Sequence, residues 1–423
     1  MGALLKLGGQ FRIYLVYDIF SALGNGVFIL FMLLSVHLIF GNALYTGIAG
    51  FLMSAPRIFS FAIGPVVDRS KKVTIMRLTT LTELVMMALL TFTPMSDDFG
   101  VVFMFAVILV FAIAQMIGTP TGNALLPHIV KDDEILQANS LINIVSTVAG
   151  LILAFILFTV LEQGDNWQLI FGISMSFLAV AFLFSLFLRE LNEKTEVSAN
   201  ALRNYLADIM AGMKFLRRNV LLFFIAADIA LAFFGQISYV NRPAFFEYHV
   251  GARGYIILSV VLMVGSLIAS FLVVPLSKKF KVSLLLAALY LFAGASRIVF
   301  ALVLPISFIA AIAITIVNAL FLASLGMVEG TLSQKIPPKD MVGRVDAMKT
   351  SFVAISVALG ALAGGIIGQV VSDVAHIFLA QGAIVLVASL YYILVPSIRR
   401  LPKIDDIVRD GENPGEENDV QSE

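Results

Sequence analysis

Asp18, Arg57, Glu83, Asp228 and Arg297 stand inside long apolar runs, where an ionisable group is costly unless something neutralises or uses it. Arg57 precedes Val67 by about ten residues and Glu83 follows Val73 by about ten, in consecutive runs joined by a short polar loop. At about 1.5 Å per residue, both sit roughly 15 Å from that loop and at similar depth. Glu83 could therefore take up and release a proton while Arg57 holds its charge or meets a substrate. A plainer reading is an ion pair that only locks two helices together. Asp18 and Asp228 are shallower, roughly 10–12 Å inside their runs. Each is a candidate to bind a proton or cation, or else to satisfy nearby Lys, Arg or backbone groups.

Other chemistry finds little support. The chain has no Cys, no G-x-x-x-x-G-K-[ST] phosphate loop and no H-E-x-x-H zinc motif. His37, His128, His249 and His376 fall in separate segments. No cofactor or metal is expected, and no enzymatic activity. A net charge of zero speaks against nucleic acid as a partner.

The elements that must position these groups are membrane helices. Of 423 residues, 60% are hydrophobic and only 13% charged, with 35 Phe. The mean hydropathy is +0.97. A spanning helix needs about 20 apolar residues. The runs at about 11–40, 45–67, 73–94, 101–118, 140–161, 168–188, 220–242, 255–276, 282–304, 306–328, 350–370 and 376–395 predict twelve. An even number puts both ends on one side. Sorting the cations onto that topology places about 24 of the 28 Lys and Arg on the side of the termini, which is then the cytoplasmic one. The first run is too long for a signal peptide.

The predicted organisation is an all-α membrane protein of two six-helix bundles, residues 1–190 and 220–396. Between them, 191–219 carries an amphipathic pattern (Leu202, Leu206, Ile209, Met213 and Leu216) suited to the inner membrane surface. Residues 397–423 form an acidic cytoplasmic tail expected to be disordered. The bundles carry a weak internal repeat. Asp18 is echoed by Asp228, the loop before Val73 by Ser277-Lys278-Lys279-Phe280-Lys281, and Leu126–Asp132 by Lys335–Asp340, all at offsets of about 206–210 residues. Repeats of this size point to alternating access, with the substrate site between the bundles.

The loop Gly64-Pro65-Val66-Val67-Asp68-Arg69-Ser70-Lys71-Lys72 resembles the loop between helices 2 and 3 of the Major Facilitator Superfamily. Asn123-Ala124-Leu125-Leu126-Pro127, Gln137-Ala138-Asn139-Ser140, Asp208 to Arg217, Gly343-Arg344-Val345 and Ser21-Ala22-Leu23-Gly24-Asn25 are similar to its bacterial drug:proton antiporter branch. That branch includes macrolide-efflux proteins and enterobactin-type siderophore exporters. The resemblance implies a proton-coupled exporter of an amphipathic small molecule in the bacterial plasma membrane, working as a monomer in the lipid bilayer.

It further implies that helices 1, 4, 7 and 10 face a central cavity. Glu83, Asp18 and Asp228 are then the proton-coupling candidates, and Asn25, Arg57, Gln115, Gln236, Tyr239 and Asn318 the cavity candidates. Arg297, on helix 9, is expected at the periphery. Gly64, Asp68 and Arg69 would latch the cytoplasmic side against helix 11, near Arg344. Gly360, Gly364, Gly365 and Gly368 on that helix have the spacing of a close-packed seam. A uniporter or importer, or a lysolipid translocator, on the same fold is the alternative. If the latch operates, Asp68→Asn should raise labelling of cysteines introduced on the cytoplasmic face of the cavity. Unchanged labelling would leave Asp68 with a topological role only.

Overall fold

Hydropathy sets the elements, because backbone groups in a bilayer must be satisfied within their own helix. The structure, a computed structural model, describes residues 8–62, 71–93, 98–130, 135–162, 167–190, 213–217, 219–338 and 341–407. The long helices are α1 (Gly9–Phe40), α2 (Ala43–Ser54, continued by a 3-10 segment, Ala55–Ala62), α3 (Lys72–Phe92), α4 (Asp98–Ile129), α5 (Ile135–Glu162) and α6 (Trp167–Ser185). The second half contains α7 (Leu221–Val240), α8 (Arg242–Lys279), α9 (Val282–Val303), α10 (Phe308–Lys335), α11 (Val342–Val370) and α12 (Ala375–Leu394). Among the described residues, ten helices are individually long and apolar enough to cross a membrane. The remaining two of the twelve elements are α2, with its 3-10 extension, and α5. The fold is thus all-helical, an integral membrane protein of two six-helix bundles.

Local sequence marks the ends. Gly41 adopts the left-handed conformation (φ 61°) that closes α1, and its N–H reaches the His37 carbonyl at 2.8 Å. Asn42 then caps α2, its side chain accepting from the Leu44 N–H at 2.9 Å. Within α8 the helix breaks at Gly251 (φ 68°), which separates a short first segment from the span proper.

The internal repeat is visible in how α3 and α9 begin. The carboxylate of Glu190, just past α6, accepts from the N–H groups of Val73 and Thr74 at 3.2 and 3.0 Å. In the second half, the Val282 N–H at the start of α9 donates to the Pro402 carbonyl at 3.1 Å, just past α12. Both helix N-termini are met by the chain that leaves the last helix of the same bundle. Residues 396–407 pack rather than trail away: Ile398 and Ile404 are buried, and Lys335 Nζ donates to the Ile404 carbonyl at 3.1 Å. Most of the linker (191–212 and 218), most of the acidic tail (408–423), and Gly64, Asp68 and Arg69 lie outside the described residues.

The two halves are joined unevenly along their depth. Near the termini each keeps a core of its own: Phe11, Tyr14, Val73, Met76, Leu125 and Leu126 in one, Phe224, Leu286, Val328, Leu332 and Ile398 in the other. At the far end one cluster spans both halves, with Val27, Phe31, Leu34, Leu153 and Leu157 against Phe245, Phe246, Tyr255, Phe300 and Phe378. Tyr255 donates to the Leu30 carbonyl at 3.3 Å, and Gln369 Nε2 to Asn42 Oδ1 at 2.7 Å. Trp167, the sole tryptophan, packs against this cluster and its neighbour.

Helix α11 has glycines on two faces for two partners. Gly360 and Gly364 lie against the α7 backbone at Phe233 and Ile237, and Gly365 against α2 at Gly47. Asn241 is buried and donates to both the Ile237 and Gly364 carbonyls at 2.8 Å. A Cβ at Gly47 would come within 2.5 Å of the Gly365 Cα, where only backbone stands and nothing can swing aside. Gly47→Val should therefore force α2 and α11 apart. The expected result is loss of about 1–3 kcal/mol of stability and increased labelling of cysteines placed on the far side of the seam. Wild-type melting and labelling would show that the seam does not depend on this contact.

Candidate functional site

Two cavities are lined by equivalent helices of the two halves, α1, α3 and α4 in one, chiefly α7, α9, α10 and α11 in the other. The first has a volume of about 330 Å³, and Asp18, Asn25, Glu83 and Gln115 all line it. Glu83 is 4% exposed. Asn25 lines the same cavity and donates to Ser21 Oγ at 3.3 Å, and Tyr17 has its hydroxyl 2.9 Å from Thr80 Oγ1. Asp18 is partly buried on the same wall and makes no ion pair among the described residues. The close approach of α1 and α4 comes from small residues: Tyr14 reaches across to donate to the Gly122 carbonyl at 3.2 Å.

The second cavity, about 550 Å³, is more highly charged. Asp228 on α7 forms an ion pair with Lys349 on α11, Oδ2 to Nζ at 2.7 Å, with both side chains mostly buried. Next to it, Glu329 on α10 accepts from two phenols on one oxygen: Tyr290 of α9 at 2.6 Å and Tyr392 of α12 at 3.1 Å. The two rings stack with centroids 4.8 Å apart. Asp228 and Lys349 both lie within electrostatic reach of Glu329. A second carboxylate therefore stands near an ammonium already paired with Asp228, and five helices contribute to a single polar cluster. Further along the same wall stand Gln236, Tyr239, Arg242 and Arg297.

Of the residues singled out from sequence, Asp18, Asn25, Glu83 and Gln115 meet in the first cavity, and Asp228, Gln236 and Tyr239 in the second. Arg57 does not join them. It is exposed and lines neither cavity, and no ion pair links it to the buried Glu83. Equal depth on adjacent helices did not put the two on facing sides. Asn318 is buried in the contact between α9 and α10, where it donates to the Ala293 carbonyl at 3.0 Å and to Ser296 Oγ at 2.9 Å. It lines neither of the two cavities. Arg297, expected at the periphery, lines the cavity instead. Arg344 lies on the first turn of α11, with its side chain outside what is described.

Sequence reasoning missed Glu329 and Lys349. Both fall one residue outside the apolar runs drawn from hydropathy, whereas the helices extend well past them. The glycine pair Gly118 and Gly122 on α4 recurs as Gly326 and Gly330 on α10 at the repeat offset of about 208 residues, which would have drawn attention to Glu329 between them.

Residues 15–345 match the Major Facilitator Superfamily. The chain belongs to that family. Its fold and family are those of a transporter, not an enzyme. No curated protein matches it in sequence. Among solved structures, it is similar to the nucleoside transporter NupG, with a TM-score of 0.73, 13% identity, and coverage of 91% of this chain and 98% of that one. It is also similar to the peptide transporter POT in complex with sulfate, with a TM-score of 0.72, 13% identity, and coverage of 93% and 96%. A D-xylose-proton symporter gives a TM-score of 0.66 and 14% identity, with coverage of 94% and 98%. At such identities the likeness establishes the fold.

The ion pair makes a stability test. Removing one partner leaves a buried charge uncompensated, which typically costs about 3–5 kcal/mol. Asp228→Asn and Lys349→Gln should each lower the melting temperature strongly, and the double variant should recover much of the loss. Additive losses in the double-mutant cycle would show that the two do not interact.

Proposed function

We propose that the chain is a proton-coupled secondary transporter that exports an amphipathic small molecule across the bacterial plasma membrane by alternating access. The observation that carries the proton part is Glu329, held by two tyrosines beside an ion pair that already uses the nearby ammonium. If Glu329 ionises, two acids compete for Lys349; if it binds a proton, Asp228 keeps the cation alone. One proton thereby changes the pairing among four helices, α7, α9, α10 and α11. A change in pairing is the differential interaction that a shift between two conformations needs. Glu83, buried opposite in the first half, is the second candidate to carry a proton, with Asp18 beside it.

The uneven joining of the halves supports alternating access. Their shared apolar core lies away from the termini, and near the termini each half has a core of its own, joined there by the 3-10 segment after α2 packing on α11. With both termini cytoplasmic, as the distribution of cations favours, this is the arrangement that opens inward, ready to accept cargo from the cell. Beside its charged groups, the cavity has an apolar wall of Leu322, Leu325, Val353 and Val357, and that combination suits an amphipathic cargo. The cargo and one or two protons are then the only partners required, in a monomer embedded in lipid.

Import is the second reading. It is favoured by the similar solved structures, whose names are those of a nucleoside transporter, a peptide transporter and a D-xylose-proton symporter. Reconstituted vesicles separate these cases. Glu329→Gln should abolish transport driven by a proton gradient by about 10²-fold or more, while exchange of cargo across the membrane at equilibrium persists. Glu83→Gln is expected to do the same if both acids couple. Wild-type transport that is indifferent to collapse of the gradient would overturn proton coupling, and uptake driven by an inward gradient would replace export with import.

A further inference from the structure

Arg242 and Arg297 face the same cavity and lie close enough to interact electrostatically. Neither makes a salt bridge among the described residues, and neither is accounted for by proton coupling. The face of Tyr239 lies under the Arg242 guanidinium, 5.0 Å from ring centroid to carbon. That contact holds the plane of the fork but does not cancel its charge. Gln236 and Gln381 supply neutral amides on the same wall. The polar cluster around Glu329 is no substitute partner, because Arg297 stands about 10 Å further along α9 than Tyr290. Asp228, moreover, is already paired with Lys349.

The charges lining this cavity are Arg242, Arg297 and Lys349 against Asp228 and Glu329, an excess of cations. Across the repeat, the first cavity has Asp18 and Glu83 and no cation at all. Two like-charged guanidiniums placed together in a low-dielectric wall repel each other, and an arrangement of that kind is relieved by an anion between them. Guanidinium also has the planar, forked geometry that binds carboxylate, sulfonate or phosphate oxygens in pairs.

We propose that Arg242 and Arg297 form the subsite for an anionic group of the cargo, so that the transported molecule is an amphipathic organic anion whose apolar body lies against the Leu and Val of α10 and α11. This rests on the second cavity being the transport site and adds the charge of what it carries. The anionic head would dock away from the Glu329 cluster, toward the closed end of the molecule, leaving that cluster free to exchange its proton.

The test uses the full chain in lipid nanodiscs and three probes with one apolar body: naphthalene-1-sulfonate, 1-naphthalenemethanol and 1-naphthylmethylammonium. Binding is read by calorimetry with no gradient, so an absence of proton coupling leaves the result untouched and the two proposals fail separately. The sulfonate should bind about tenfold or more tightly than the other two. Arg297→Gln and Arg242→Gln should each weaken it by about tenfold, and Arg297→Lys should restore part of the loss. Equal binding of the three probes by the wild-type protein, or no binding of the sulfonate, would overturn the proposal whether or not the variants fold. So would full sulfonate affinity in both Gln variants with unchanged melting temperatures.

Discussion

A charge inside an apolar helical bundle has no water to fall back on, so the bundle must be built around whatever answers it. In this protein that constraint is met most fully at Glu329, where phenols from α9 and α12 converge on a carboxylate of α10 and an ion pair between α7 and α11 closes the fifth side. Each of those helices is held at the end nearest the termini by the core of the second half. The polar cluster is therefore anchored in the core of the second half, while α11, which supplies Lys349, also packs on α2 of the first.

The two halves solve the same problem differently. Equivalent helices build both cavities, yet the first presents two acids among neutral groups, and the second presents mixed charge, with an ion pair beside a carboxylate held by two phenols. Duplication accounts for the shared scaffold, including the matching way α3 and α9 begin. Divergence of a few side chains accounts for the division of chemical labour. The separation of the Glu329 cluster from the two guanidiniums along α9 follows the same logic within one half.

Much of the scaffold can be read in the residues. The runs predicted as helices correspond to the helices found, because twenty apolar residues in a row have few other fates. The glycines of α11 announced a seam through their spacing, although not that they serve two partners on two faces. The site was harder to read. Hydropathy runs stop at charges, so Glu329 and Lys349 were trimmed from the helices that bury them. Depth alone paired Arg57 with Glu83, but depth carries no information about which way a side chain points around the helix. Asn318 and Arg297 exchanged places for a related reason. On α10, which carries Asn318, apolar residues are spread almost evenly around the helix, so periodicity does not say which positions face a cavity.

The position of Trp167 has a practical consequence. The chain contains one indole, and it rests where the two halves share their apolar contacts. Parting of that region would admit solvent to the ring and shift its emission toward longer wavelength, whereas motions confined to the opposite end would leave the spectrum alone. The untagged protein thus has a built-in optical gauge of which mouth is open.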